Sequence, residues 1–130
     1  MEEAEVTVEE AENLIRNKFK DIMSKYDSDL YFFLRQRGVK FITPEAIRGL
    51  AVSLSLKYYG FNSFTLKLVS SILEKTKARC YYSLVVLFHK LGNFKILTVF
   101  RETRTRFREY RYSVSPDTWL YWESKLKEEL

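Results

Sequence analysis

The sequence predicts a mostly α-helical domain that carries one β-hairpin. Two observations lead there. Up to Gly92 the apolar residues recur at helical spacing, and cap and stop signals divide them into segments. After Gly92 the period changes to alternation, in two short runs rich in Ile, Val, Thr, Phe and Tyr. A chain of 130 residues suits one compact domain, so residues 1–130 are read as a single unit. Its 46% of hydrophobic residues can fill a core, and its 16% of aromatics argues against disorder.

The elements follow in order. Thr7 and Glu10 have capping-box spacing, and Glu9, Glu10 and Glu12 suit the positive end of a helix. Ala11, Ile15, Phe19, Ile22 or Met23, and Tyr26 then share one face, which predicts a helix over about 8–26. "YDSD" breaks it, Ser28 or Asp29 caps a short aromatic helix, and Gly38 stops that one, so N-terminal helices fill 8–38. Thr43 as N-cap, Pro44 at the first position and Gly60 past the end bound the next helix. Its inner stripe is Ile47, Leu50, Ala51, Leu54 and Tyr58. "NSFTLKLVSSILEKTK" predicts a helix over about 63–76, capped by Ser63, with Phe64, Leu68, Val69, Ile72 and Leu73 facing the core. The link "TKAR" leads to a helix over about 79–91, ended by Gly92-Asn93. "FKILTVFRE" and "RFREYRYSV" then predict a hairpin over about 94–114, turning around Thr103. Ser115 and Pro116 open a C-terminal helix over 115–130, with Trp119, Trp122 or Glu123, Leu126 and Leu130 as its stripe.

Composition excludes several classes of function. Cys80 and His89 are the single cysteine and histidine, too few for a disulfide framework or a cysteine-based zinc site. His89, between Phe88 and Lys90, reads as a packing residue, and Cys80 as a small core residue. No Gly-rich phosphate loop is present, and the acids concentrate at the two ends, so neither a cofactor nor an enzyme is expected. The acidic start "MEEAEVTVEE" is unlike a secretory signal. No apolar run approaches the roughly twenty residues of a membrane span. A cytoplasmic protein without a membrane partner is expected. One Gln, four Asn and many Glu, Lys, Arg and Tyr lean toward a hot habitat.

Charge is segregated. Residues 1–30 carry a balance of −5, residues 31–115 a balance of +12, and residues 116–130 a balance of −2. A basic body between acidic ends suits a polyanion-binding surface better than an evenly solvated one. The sharpest concentration is "RETRTRFREYR", with Arg101, Arg104, Arg106, Arg108 and Arg111 in eleven residues. On a strand, alternate residues share a face. Tyr110, Tyr112 and Val114 are expected to cover the core, Arg104, Arg106 and Arg108 to continue that face outward, and Arg101, Phe107 and Arg111 to lie on the other. Guanidinium forks match phosphate oxygens, so such a ribbon can grip a nucleic-acid backbone.

The order of helices and hairpin in "FTLKLVSSILEKTKARCYYSLVVLFHKLGNFKIL" resembles the winged helix-turn-helix superfamily over about residues 43–114. The flanking helices would complete the core or join two copies. The resemblance implies a recognition helix at 79–91 and a wing at 94–114. It places Arg79, Tyr81, Tyr82 and Ser83 at the groove-facing start of that helix, and the arginines on the wing. "YYSLVVLFHKL" offers few side chains that read base edges, so backbone contacts are expected to dominate. The function implied is that of a double-stranded-DNA-binding transcription regulator or nucleoid-type factor, with a homodimer through the terminal helices. The alternative is an interaction module that docks on a polymerase or other assembly, which the apolar recognition helix favours.

Overall fold

The computed structural model describes residues 8–74, 78–102 and 109–127. In chain order these form α1 (Val8–Gln36), α2 (Pro44–Tyr58), α3 (Leu66–Ile72), α4 (Ala78–Asn93), β1 (Leu97–Glu102), β2 (Glu109–Val114) and α5 (Pro116–Lys127). The chain is thus mostly helical with one antiparallel hairpin. Thr7 and Leu130, expected as cap and stripe residue, lie outside the described residues.

The break foreseen after Tyr26 is a kink, not an end. Tyr26 alone departs from helical dihedrals, at φ −122° and ψ 21°, and the helix runs on to Gln36. Ser28 and Asp29 therefore sit inside α1 instead of capping a new helix. The kinked residue is tied elsewhere: its ring meets Trp122 edge-on at 6.0 Å, and its hydroxyl donates to the Lys125 carbonyl at 3.0 Å. Trp122 is fully buried and also packs on Phe33, at 5.8 Å. This joins α5 to the second half of α1.

Helix α2 is central. The Thr43 hydroxyl accepts from the Ala46 N–H at 3.2 Å and Pro44 opens the helix, as expected. Burial is broader than one stripe, because α1 covers one side while α4, α5 and β2 cover others. Every residue from Gly49 to Leu56 is buried. Ser53 and Ser55 are accommodated there because each hydroxyl donates to its own helix, to the Gly49 and Val52 carbonyls, both at 2.7 Å. Helix α3 starts later than expected. Thr65, not Ser63, is its N-cap, accepting from the Leu68 N–H at 3.4 Å. Ser63 instead receives Arg111.

Left-handed residues follow four of the described helices: glycine after two, Glu74 after α3 and Lys95 after α4. Gly38 and Gly60 have φ of 92° and 91°. Around each, two backbone bonds close the helix end: Val39 N–H to Leu34 with Gly38 N–H to Arg35, and Phe61 N–H to Leu56 with Gly60 N–H to Lys57. At the end of α4 the same pair of bonds runs from Ile96 to Leu91 and from Lys95 to Gly92, so Lys95 holds the left-handed position, with φ 61°. Gly92 is not the stop. A Cβ there would lie 2.5 Å from Cγ2 of Val99, so this glycine lets β1 lie close against α4. Two outcomes follow. Lys95→Gly should raise stability by roughly 0.5–1 kcal/mol, the relief of a left-handed side chain less the added freedom of the unfolded chain. Gly92→Ala should lower it despite better helix propensity, by about 1–2 kcal/mol of overpacking. Urea unfolding checks both, and Val99→Ala should recover most of the Gly92→Ala loss. Simple additivity of that pair would refute the contact.

The strand register pairs Leu97 with Val114, Val99 with Tyr112, Arg101 with Tyr110, and Glu102 with Glu109. Leu97, Tyr112 and Val114 are buried and Tyr110 half-buried, the face foreseen for β2. Directly paired residues share a face, so Arg101 belongs to the Tyr110 side, not to the Arg111 side as parity within one numbering suggested. The outer face holds Phe100 opposite Arg111. Residues 103–108 join Glu102 to Glu109, so the expected turn around Thr103 lies outside the described residues. Between α2 and α3, Phe64 forms an isolated antiparallel bridge with Tyr112, through N–H to carbonyl bonds of 2.8 and 2.9 Å.

Candidate nucleic-acid interface

The base of the hairpin is anchored, and exposure rises along β1 away from it. Leu97 and Val114 are 1% and 5% exposed, whereas Phe100, two pairs from the end of β1, is 49% exposed and Arg101 is exposed as well. Anchoring comes from an aromatic cluster. The Tyr112 ring stacks on Phe64 at 6.5 Å and meets Phe88 edge-on at 5.4 Å. His89 meets Tyr110 at 4.6 Å and Tyr112 at 5.8 Å, both edge-on, so the single histidine is a packing residue in the hairpin's seat. Burial, and then the neighbouring Tyr81 and Tyr110 hydroxyls, push the Tyr112 phenol from its ordinary value of 10.0 up to about 12.

The expected site residues divide into three groups. Tyr81, Tyr82 and Ser83 are exposed in the opening turns of α4, with Tyr82 the most open of them at 71%. Arg101 is exposed on the core-side face of β1, directly opposite Tyr110. Arg111 is half-buried, and its guanidinium is engaged: Nε donates to the Ser63 hydroxyl at 3.0 Å and Nη2 to the Ser63 carbonyl at 3.4 Å. It fastens β2 to the segment before α3. Arg79 belongs to the first turn of α4, with its side chain outside those described. Arg104, Arg106 and Arg108 lie outside the described residues.

Three contributors, Val86, Lys90 and Phe100, are not among the residues expected from sequence. Val86, 52% exposed, and Lys90 extend the Tyr82 line along α4 at four-residue steps. That spacing is present in "YYSLVVLFHK", but only the start of the helix, Tyr81 to Ser83, is singled out from the sequence. Phe100, inside the alternating run "FKILTVFRE", stands open opposite Arg111.

Among the described residues no group of three or more His, Cys, Asp or Glu side chains could hold a metal ion, and no helix is long and apolar enough to cross a membrane. No family model, curated protein or solved structure matches the chain.

Proposed function

We propose that this chain is a cytoplasmic winged-helix protein that binds double-stranded DNA, as a transcription regulator or nucleoid-type factor, with the arginine-rich hairpin as its phosphate grip. The observation that carries this reading is the gradient along β1, from buried Leu97 at the base to exposed Phe100 and Arg101, in a chain whose next residues in sequence are the arginine-rich 103–108. Three helices, α2 to α4, followed by a hairpin are the order on which the resemblance to a winged helix-turn-helix rests. In that arrangement α4 takes the recognition-helix position and Tyr81, Tyr82 and Ser83 stand at its leading end. Its exposed line of Tyr82, Val86 and Lys90 reads few base edges, so backbone attraction supplies most of the affinity.

An electrophoretic shift on random duplex, single-stranded DNA and double-stranded RNA, at two salt concentrations, tests the proposal. Duplex binding that weakens steeply with salt supports it. One observation favours a second reading: the open Tyr82–Val86 line suits a protein partner. A docking module would leave random duplex unbound at low salt.

The proposal includes a homodimer through the terminal helices. Trp122 is spent inside the protomer, but Leu120 on α5 is 75% exposed and Phe32 on α1 is 58% exposed. Light scattering at high micromolar concentration should report twice the chain mass of 15.6 kDa, and a monomer there removes this part.

A further inference from the structure

We infer that the cavity between α1, α2 and α3 is a binding site for a small carboxylate with an apolar body. Its volume is about 210 Å3. Phe19, Ile72 and Leu73 supply its apolar lining, and Arg16, Lys20 and Arg48 stand around it against one acid, Glu74. An apolar wall beside an excess of cations fits a ligand with one charged end and one greasy end. A bare hydrated anion would leave the wall unused.

Arg16 is in place before any ligand arrives. Its Nε donates to the Ile72 carbonyl at 3.2 Å, Nη2 to the Ser71 carbonyl at 3.2 Å, and Nη1 to Asn13 Oδ1 at 2.9 Å. These bonds cover the carbonyl end of α3, which would otherwise repel an anion. They also fix the guanidinium, so little side-chain freedom is lost on binding.

The carboxylates that now face these cations are loosely held. Glu74 Oε1 lies 3.7 Å from Arg16 Nε, with the Glu74 side chain 76% exposed. Glu45 Oε1 lies 3.9 Å from Arg48 Nη1, also at the surface. Both separations exceed hydrogen-bond length, and exposed pairs of this kind are screened by water. Glu74 therefore occupies the ligand's place as a weak internal competitor. It also has φ 59° at the end of α3, where the chain leaves toward α4. The Arg16 Nε hydrogen is already donated to the Ile72 carbonyl, so a ligand carboxylate would bond the second hydrogens of Nη1 and Nη2 and displace the Glu74 side chain from Arg16.

Calorimetric titration of the full chain tests the site, with benzoate as probe. Benzyl alcohol serves as the neutral counterpart and inorganic phosphate as the anion without an apolar body. Benzoate should bind saturably in the millimolar range, and the other two should not. Lys20→Ala with Arg48→Ala, both exposed positions, should weaken benzoate about tenfold, the scale of one lost charge-assisted hydrogen bond. Glu74→Gln should strengthen it by about threefold, because it removes the competitor. A merely structural role for these residues would not give opposite signs. Circular dichroism of each variant confirms that it is folded. No saturable benzoate binding, equal binding of benzyl alcohol, or weaker binding to a folded Glu74→Gln variant would overturn the inference. The titration contains no nucleic acid, so its result is independent of what the hairpin binds.

Discussion

Tyr112→Ala should cost about 3–5 kcal/mol, the range for removing a large aromatic from a core. Tyr112 is fully buried, and three rings close on it: Phe64, Phe88 and His89. Its backbone also exchanges both hydrogen bonds with Phe64, so the lost ring loosens the bridge that ties the hairpin to the segment before α3. Tyr112→Phe keeps the ring and removes a buried hydroxyl that no described protein group accepts or donates to. At neutral pH that variant should stay within about 1 kcal/mol of the parent. The two should separate at high pH. The unfolded phenol ionises near 10.0, while the folded one resists until about 12, so the parent binds more protons folded than unfolded between these values. Its stability falls as pH rises through that window, by up to roughly 2–3 kcal/mol from this residue. Tyr112→Phe lacks this contribution. Urea unfolding at neutral pH and at successive alkaline values checks both statements. Parallel alkaline losses in parent and Phe variant would show that Tyr112 is not the titrating group.

Local signals in the sequence were legible where one residue type answers one geometric demand. Thr43-Pro44 opened α2, Gly38 and Gly60 ended helices through positive φ, and the change of period after Gly92 marked the hairpin. The buried face of β2 was legible too, because alternation within one strand needs no partner. What failed needed tertiary information. The face of Arg101 depends on the register between strands, which pairs an odd-numbered residue of β1 with an even-numbered one of β2. Gly92 was read as a stop because glycine is the usual stop; the close approach of Val99 explains it instead, while Lys95 accepts the strained position. Ser63 had the chemistry of a cap, but Arg111 claimed it and Thr65 capped α3. Of the candidate interface, the residue types were legible and their availability was not. Arg111 belongs to the same charged run as Arg101, yet one is held by Ser63 and the other is open. The cavity at Arg16 gave no signal, since its cations come from α1 and α2 and its acid from the residue two past the end of α3.

Replacing Arg104, Arg106 and Arg108 together by Ala should weaken duplex binding at every sequence and flatten its salt dependence. Each phosphate contact contributes roughly 0.9 to the slope of log affinity against log salt, so three lost contacts remove about two to three units. The fold should tolerate the change, because the buried anchors of the hairpin are Leu97, Tyr112 and Val114, none of which is altered. Two single variants separate grip from scaffold within the same arginine run. Arg101→Ala, an exposed position, should lower the slope by about one unit and leave stability unchanged. Arg111→Ala should chiefly lower stability, by about 1 kcal/mol, because it breaks the tie to Ser63. Tyr81→Ala and Ser83→Ala carry no charge change and should barely alter binding to random duplex. The measurement is fluorescence anisotropy on one random duplex across a salt series, with thermal unfolding of each variant beside it. If the triple variant is folded and keeps both affinity and slope, the arginines are not a nucleic-acid grip. The exposed Tyr82–Val86 line on α4 then becomes the surface to test, and a protein partner replaces the duplex as the expected ligand.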